Sequence, residues 1–216
     1  MFFEEGTTML YDYLKDMYGE NEPIFVADIK YGDTPMNSIR QQVKKLTDEG
    51  YLKRYDTGIY FIPKKTIFKS GSQLSRNKVI EKKYLLEDGK RCGYVSGVLF
   101  ANQLGLTTQV PVSCEVVSNK ATNDVRRVKL ASSMITVRKP RVKVTEQNFR
   151  LLQLLDLFKD IEFYSEIDQA ERQNRIVGYM EKCGIRFSAL DEYLPYYPDK
   201  IYKNMYEMGL LNGIPA

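Results

Sequence analysis

Apolar residues recur at helical spacing near the start of the chain. Leu10, Tyr13, Leu14 and Met17 fall at i, i+3, i+4 and i+7, with Thr7 placed as an N-cap and Gly19 as a stop. Pro23 to Ile29 reads as an extended lead-in followed by a helix of one or two turns, broken at Gly32-Asp33. A third helix opens with Thr34 as N-cap and Pro35 at the first helical position, and Ile39, Val43 and Leu46 form its core stripe. Gly50 ends it. Tyr51–Tyr55 and Ile59–Ile62 then read as two strands joined by the short loop Asp56-Thr57-Gly58. Helix, short helix, capped helix and hairpin, in that order, predict a winged helix-turn-helix over residues 1–65.

Residues 66–78 are polar and rich in Lys and Ser, and read as a linker. Arg76 to Leu86 fits helix or strand. Beyond it the pattern predicts a helix over Ser96–Leu104 and strands at Cys114–Val117, Arg126–Leu130 and Met134–Arg138, the last continuing through Val142 and Val144 after Pro140. Phe149–Phe158 is an amphipathic helix with a wide apolar face of Leu151, Leu152, Leu154, Leu155 and Phe158. Two further helical patterns carry Ile176, Val177 and Met180, then Ile201, Met205 and Met208. The expected fold is therefore α+β: a winged helix, a linker, a mixed α/β domain over 79–160, and a helical tail over 161–216.

Charge sharpens this division. Residues 1–65 carry 9 basic and 11 acidic side chains, 66–150 carry 16 and 6, and 151–216 carry 7 and 11. The basic middle suggests a surface facing a polyanion, or simply a solvated one. Within it Arg126, Arg127, Lys129, Arg138, Lys139, Arg141 and Lys143 cluster as a candidate nucleic-acid or partner surface. No apolar stretch is long enough to span a membrane, and acids stand at the N-terminus where a signal peptide needs a basic region. The expectation is a cytoplasmic protein with no membrane contact.

In the third helix, the face opposite Ile39, Val43 and Leu46 carries Asn37, Gln41 and Lys44, flanked by Ser38, Arg40 and Lys45. Asn, Gln and Arg read base edges by bidentate hydrogen bonds, whereas Ser and Lys bond phosphates. With Thr34 at the start of the helix, and Lys53, Arg54 and Thr57 on the wing, these residues form the candidate contact set for double-stranded DNA. Winged helices also bind proteins or RNA, and that alternative stays open.

Catalysis is not expected. There is no histidine, so the commonest general base is missing. Cys92, Cys114 and Cys183 are odd in number and widely spaced, which reads as reduced, largely buried thiols and not as a disulfide or zinc framework. No phosphate loop and no compact Asp…Glu-x-Lys nuclease pattern occurs. Glu166, Asp168 and Glu171 look like the solvated start of a helix. No metal or cofactor is expected.

Gly93-Tyr94-Val95-Ser96-Gly97, Ala101 and the run Leu104-Gly105-Leu106-Thr107-Thr108-Gln109-Val110-Pro111 resemble the AbiEi-type antitoxins of bacterial abortive-infection systems, in particular their short relatives of unknown function. The strand Gly58–Pro63 and Arg126-Arg127-Val128 fit the same resemblance, which covers about residues 5–160. It implies a protein encoded beside a nucleotidyltransferase-like toxin, with an N-terminal domain that represses the shared operon and a C-terminal domain that neutralises the toxin. Fuller members of the family act without a stable toxin complex, so direct contact does not follow. Bottom-up, Thr107-Thr108-Gln109 reads as a polar loop whose side chains bond its own backbone or a ligand.

Overall fold

A computed structural model describes residues 5–66, 71–110 and 113–210, with side chains from residue 9 onward. The chain divides into two compact units, Met1–Lys83 and Tyr84–Ala216. The fold is mixed α+β with a helical C-terminal region.

In the first unit, α1 (Glu5–Tyr18) buries Leu10 and Leu14; because it already includes Glu5, Thr7 lies inside it and not at its cap. β1 (Ile24–Phe25) leads into a single 3-10 turn, Val26–Asp28. α2 (Met36–Asp48) buries the stripe Ile39, Val43 and Leu46. It starts later than the pattern suggests. Pro35, extended at ψ 142°, is the cap residue, its carbonyl accepts the Ile39 N–H at 3.1 Å, and Thr34 stands one residue too early to cap. At the other end, Gly50 adopts φ +83°, so that the Tyr51 and Leu52 N–H groups turn back to the Leu46 carbonyl at 2.9 and 3.1 Å. Those two residues close the helix and do not open a strand.

β2 (Lys53–Asp56) and β3 (Ile59–Phe61) form the hairpin, with a register shift between Arg54 and Asp56. The sheet order is β1-β3-β2, all antiparallel. It closes with α1 and α2 on a core that includes Leu14, Ile24, Ile39, Leu46 and Ile62. α3 (Arg76–Ile80) settles the ambiguous segment as helix and runs on as a wider π turn, Glu81–Leu85. Lys78 pairs with Glu22, and Lys82 donates to the Pro23 carbonyl at 2.9 Å while lying 4.3 Å from the centre of the Tyr18 ring. These ties hold α3 to the first unit, so its boundary falls past the expected linker. Residues 67–70 of that linker lie outside the described residues.

The second unit contains the short pair β4 (Leu86–Glu87) and β5 (Lys90–Arg91), then β6 (Gly93–Ser96), α4 (Gly97–Gln103), β7 (Ser113–Ser118), β8 (Val125–Leu130) and β9 (Ser133–Arg138). Four of these strands make a sheet in the order β6-β7-β9-β8, with β7 and β9 parallel and β8 at an edge. Val142 and Val144 do not prolong β9. The Asn119 side-chain amide accepts the Val144 N–H at 2.9 Å and donates to its carbonyl at 2.8 Å, supplying the pair of bonds that a neighbouring strand would have made.

α5 (Phe149–Tyr164) is longer than its pattern and differently used. Every residue from Leu152 to Phe158 is buried, Gln153 and Asp156 included, so it is a central helix and not a one-faced one. α6 (Gln169–Cys183) is capped by Asp168, which accepts the Glu171 N–H at 2.9 Å. α7 (Ser188–Asp191) and α8 (Lys200–Glu207) follow. Ile176, Leu190, Ile201 and Met205 share one core with Tyr94, Phe100 and Leu155, so the described part of 161–216 packs on the α/β segment. Among the described residues, no helix is long and apolar enough to cross a membrane.

Candidate nucleic-acid interface

The outer face of α2 is open. Asn37, Arg40, Gln41 and Lys44 are exposed, while Ser38 and Lys45 on the flanks, and Thr34 before the helix, are half-buried. Arg40 donates to the Asn37 side-chain oxygen at 3.2 Å, and Gln42 donates to the Ser38 hydroxyl at 3.3 Å. On the hairpin, Arg54 curls over the tip to the Thr57 hydroxyl at 3.1 Å, and the Asp56 carboxylate accepts the Thr57 N–H at 2.7 Å. Lys53 is placed differently from expectation. It is half-buried, and its ammonium sits where a β-carbon on Gly71 would come within 2.6 Å, so it packs on the chain instead of flanking an open wing.

Between α2 and the hairpin runs a cleft of about 750 Å³. Arg40 and Lys44 line it from the helix, and Arg54 and Thr57 from the hairpin, so four of the sequence-predicted residues meet on one groove. Its floor is apolar, formed by Val26, Val43 and Ile59.

The cations of the second unit separate into two groups. Arg126, Arg127 and Lys129 are exposed on the edge strand β8, and Lys139 and Lys143 are exposed in the segment that follows β9. Strand alternation puts Arg127 and Lys129 on one face of β8 and Arg126 on the other. Arg138 is not part of that surface. It donates to Glu115 at 2.6 Å and to Asp156 at 3.0 Å, and the Asp156 side chain is only 2% exposed. The Tyr94 hydroxyl donates to the same Asp156 oxygen at 2.9 Å. Burial disfavours the guanidinium charge, but the Asp156 and Glu115 carboxylates outweigh it and hold Arg138 firmly protonated. Burial, and then the Asp156 charge, push the Tyr94 phenol well above its ordinary range. Arg141 is also engaged, with its guanidinium 5.4 Å from the Tyr197 ring centre and donating to the Tyr196 carbonyl at 3.3 Å.

The Leu104–Gln109 run is built around a residue far along the chain. Gly105, at φ +71°, ends α4, and a β-carbon there would collide with the Arg175 guanidinium. The Glu166 carboxylate accepts the Thr107 hydroxyl at 2.7 Å, the Thr108 N–H at 3.0 Å and the Gln109 side-chain amide at 2.7 Å. The Glu166 N–H in turn donates to the Leu106 carbonyl at 2.9 Å. Those donors hold the Glu166 carboxyl down at about 2, the Thr107 hydroxyl contributing most. Glu166 is exposed, as expected, but it clamps this loop and does not start the helix, whereas Asp168 caps α6 and Glu171 lies in its first turn. Pro111, at the end of the run, lies outside the described residues.

A family model described as a family of unknown function (DUF6088) matches residues 18–174. The chain belongs to DUF6088. The match covers α2, the hairpin, the Arg138 network and Glu166 of this DUF6088 protein, and stops within α6. No curated protein matches the sequence.

The cysteines of the DUF6088 chain add no reactive group to these sites. Cys92 and Cys114 are buried and Cys183 is partly so, all free of disulfides. Burial pushes the Cys92 thiol up, away from the reactive thiolate, and its sulfur donates to the Tyr84 carbonyl at 3.6 Å. Among the described residues, no three Cys, Asp or Glu side chains converge as metal ligands. Sequence reasoning missed Glu115 and Asp156 as partners of Arg138, and Tyr94 as a donor to Asp156. The available signal was Asp156 itself, an acid within an otherwise apolar run, which demands a buried counter-charge.

Proposed function

We propose that the chain is a transcriptional autoregulator that binds double-stranded DNA and acts as an antitoxin, with the first unit as a winged helix-turn-helix. The carrying observation is the convergence of Arg40 and Lys44 of α2 with Arg54 and Thr57 of the hairpin on one groove. An α-helix of about 10–12 Å diameter fits a major groove about 12 Å wide. On that docking, Asn37, Arg40, Gln41 and Lys44 meet base edges and nearby phosphates, while Arg54 and Thr57 grip the flanking backbone. The element order supports the same reading: α1, the 3-10 turn, α2, then β2–β3 as the wing, with β1 closing the sheet.

The antitoxin role rests on the resemblance carried by Gly93–Gly97, Ala101 and Leu104–Pro111, with Gly58–Pro63 and Arg126–Val128 beside them. The toxin is a co-encoded nucleotidyltransferase-like enzyme, with direct contact left out of the proposal. A gel shift with DNA from upstream of the protein's own gene tests the first half, with random duplex and structured RNA as competitors. Specific retardation of the upstream duplex is expected. Preference for RNA, or no binding to either, replaces this reading with that of an interaction module. Co-expression with the neighbouring toxin tests the second half, growth rescue being the expected result.

A further inference from the structure

The cleft between α2 and the hairpin has the size of a small-molecule site: its volume of about 750 Å³ lies within their range of roughly 300–1,000 Å³. Val26, Val43 and Ile59 are buried at its base, so the apolar surface open to a ligand comes from the half-buried Phe25 and Tyr60 and the exposed Ala27. Phosphates of a duplex alone would leave those three uncovered. A purely apolar ligand has the opposite fault, because it would desolvate the cations around it without neutralising them. Asp48 is the one acid among the described lining residues, against Arg40, Lys44, Arg54 and Lys83.

A ligand that joins a flat apolar ring to a phosphate satisfies both halves. The rings of Phe25 and Tyr60 border the floor and suit a base. Gly58, at φ +72°, has open space where a β-carbon would stand, so a ring can approach the backbone there. Arg40 and Arg54 are exposed, and each guanidinium has five N–H donors, of which Arg40 gives one to Asn37 and Arg54 two to the hairpin tip.

We propose that this cleft binds a nucleoside phosphate, its base against Phe25 and Tyr60 and its phosphate against Arg40, Lys44 and Arg54. The ligand is a free nucleotide or a nucleotide unit of a single strand. Because those cations are the ones assigned to DNA above, occupancy competes with duplex binding; this consequence rests on the DNA reading, whereas the site itself does not.

The test is calorimetric titration of the full-length protein with nucleoside 5′-phosphates, the matching nucleosides, inorganic phosphate and a short single-stranded oligonucleotide, alongside duplex binding. Nucleotides are expected to bind more tightly than either nucleosides or inorganic phosphate. Arg54→Ala and Lys44→Ala, both at exposed positions, should each weaken that binding about tenfold or more, as removal of a charge-assisted hydrogen bond does. Binding of the oligonucleotide alone assigns the site to a strand and supports the class. No binding of nucleotide or oligonucleotide, inorganic phosphate binding as tightly as nucleotides, or full affinity in both variants overturns the proposal. Failure of duplex binding with nucleotide binding intact sinks the DNA reading and leaves the cleft assignment standing; the reverse result sinks only the cleft.

Discussion

The Thr107 hydroxyl donates to the Glu166 carboxylate at 2.7 Å across 59 residues of chain. With the Thr108 N–H and the Gln109 amide, it ties the loop after α4 to the segment joining α5 and α6. The Glu166 carboxyl is lowered from an ordinary 4.5 to about 2, so the folded state favours the charged form. A depressed carboxylate contributes stability that is complete above the unfolded-state value and is lost as pH falls through the folded one. Glu166→Gln should therefore be less stable than the parent chain at neutral pH. The difference should shrink below about pH 4.5 and vanish towards about pH 2. Urea midpoints of both proteins across that range check it, and a constant difference at all pH values would count against the clamp.

Asp156 offers a sharper stability test because its side chain is almost wholly buried. Removing it leaves the largely buried Arg138 with Glu115 as its one remaining acidic partner among the described residues, and leaves the Tyr94 hydroxyl without its acceptor. Breaking a buried ion pair by removing one partner costs about 3–5 kcal/mol. Asp156→Ala is expected to lose stability on that scale. Asp156→Asn, which keeps an acceptor for Tyr94, should lose less. Denaturant unfolding measures both. Equal loss in the two variants would show that the Asp156 charge, which both remove, and not its shape or its bond to Tyr94, governs the site.

The contrast between local and distant information explains what was legible in advance. Ile39, Val43 and Leu46 on α2, and the alternation of β9, are patterns held within a few residues, and the structure uses them as read. The pairings that the pattern does not show are long-range. Arg138 finds Asp156 18 residues on, Thr107 finds Glu166 59 residues on, and Asn119 takes over the backbone of Val144. Nothing in the periodicity of either partner encodes the other. Partial signals did exist: Gln153 and Asp156 inside the apolar run of α5, and three consecutive donor side chains after Leu106 that together call for an acceptor.

The division among the basic residues of the second unit gives a third prediction. Arg126, Arg127 and Lys129 stand exposed on an edge strand, where cations also discourage pairing with another strand. If they meet phosphates, replacing all three with Ala should reduce the salt dependence of DNA binding by about one unit of slope for each phosphate they neutralise. Arg138→Ala should leave the slope unchanged, since that guanidinium is already paired. Anisotropy titrations at several salt concentrations distinguish the two. An unchanged slope in the triple variant would mean that β8 is protected by its charges and does not touch nucleic acid.

The last prediction is that operator binding and toxin neutralisation separate in the intact chain. The two units hold their own apolar cores, with Leu14, Ile39 and Leu46 in the first and Phe100, Leu155 and Ile201 in the second. The residues proposed to read DNA all lie in the first, whereas the antitoxin resemblance falls mainly in the second. Arg40 and Lys44 are exposed, so Arg40→Ala with Lys44→Ala removes charge without opening a cavity, and the fold should be unaffected. Removing a bidentate hydrogen-bond pair to a base costs about 1–3 kcal/mol, and removing a cation from a phosphate lowers affinity on all sequences alike. The double variant should therefore lose repression of its own promoter and still rescue cells expressing the neighbouring toxin. If the folded double variant keeps full operator affinity, α2 is not the reading helix. If it loses both activities together, neutralisation acts through the DNA-binding face, and the chain works by repressing the toxin's synthesis instead of opposing the toxin.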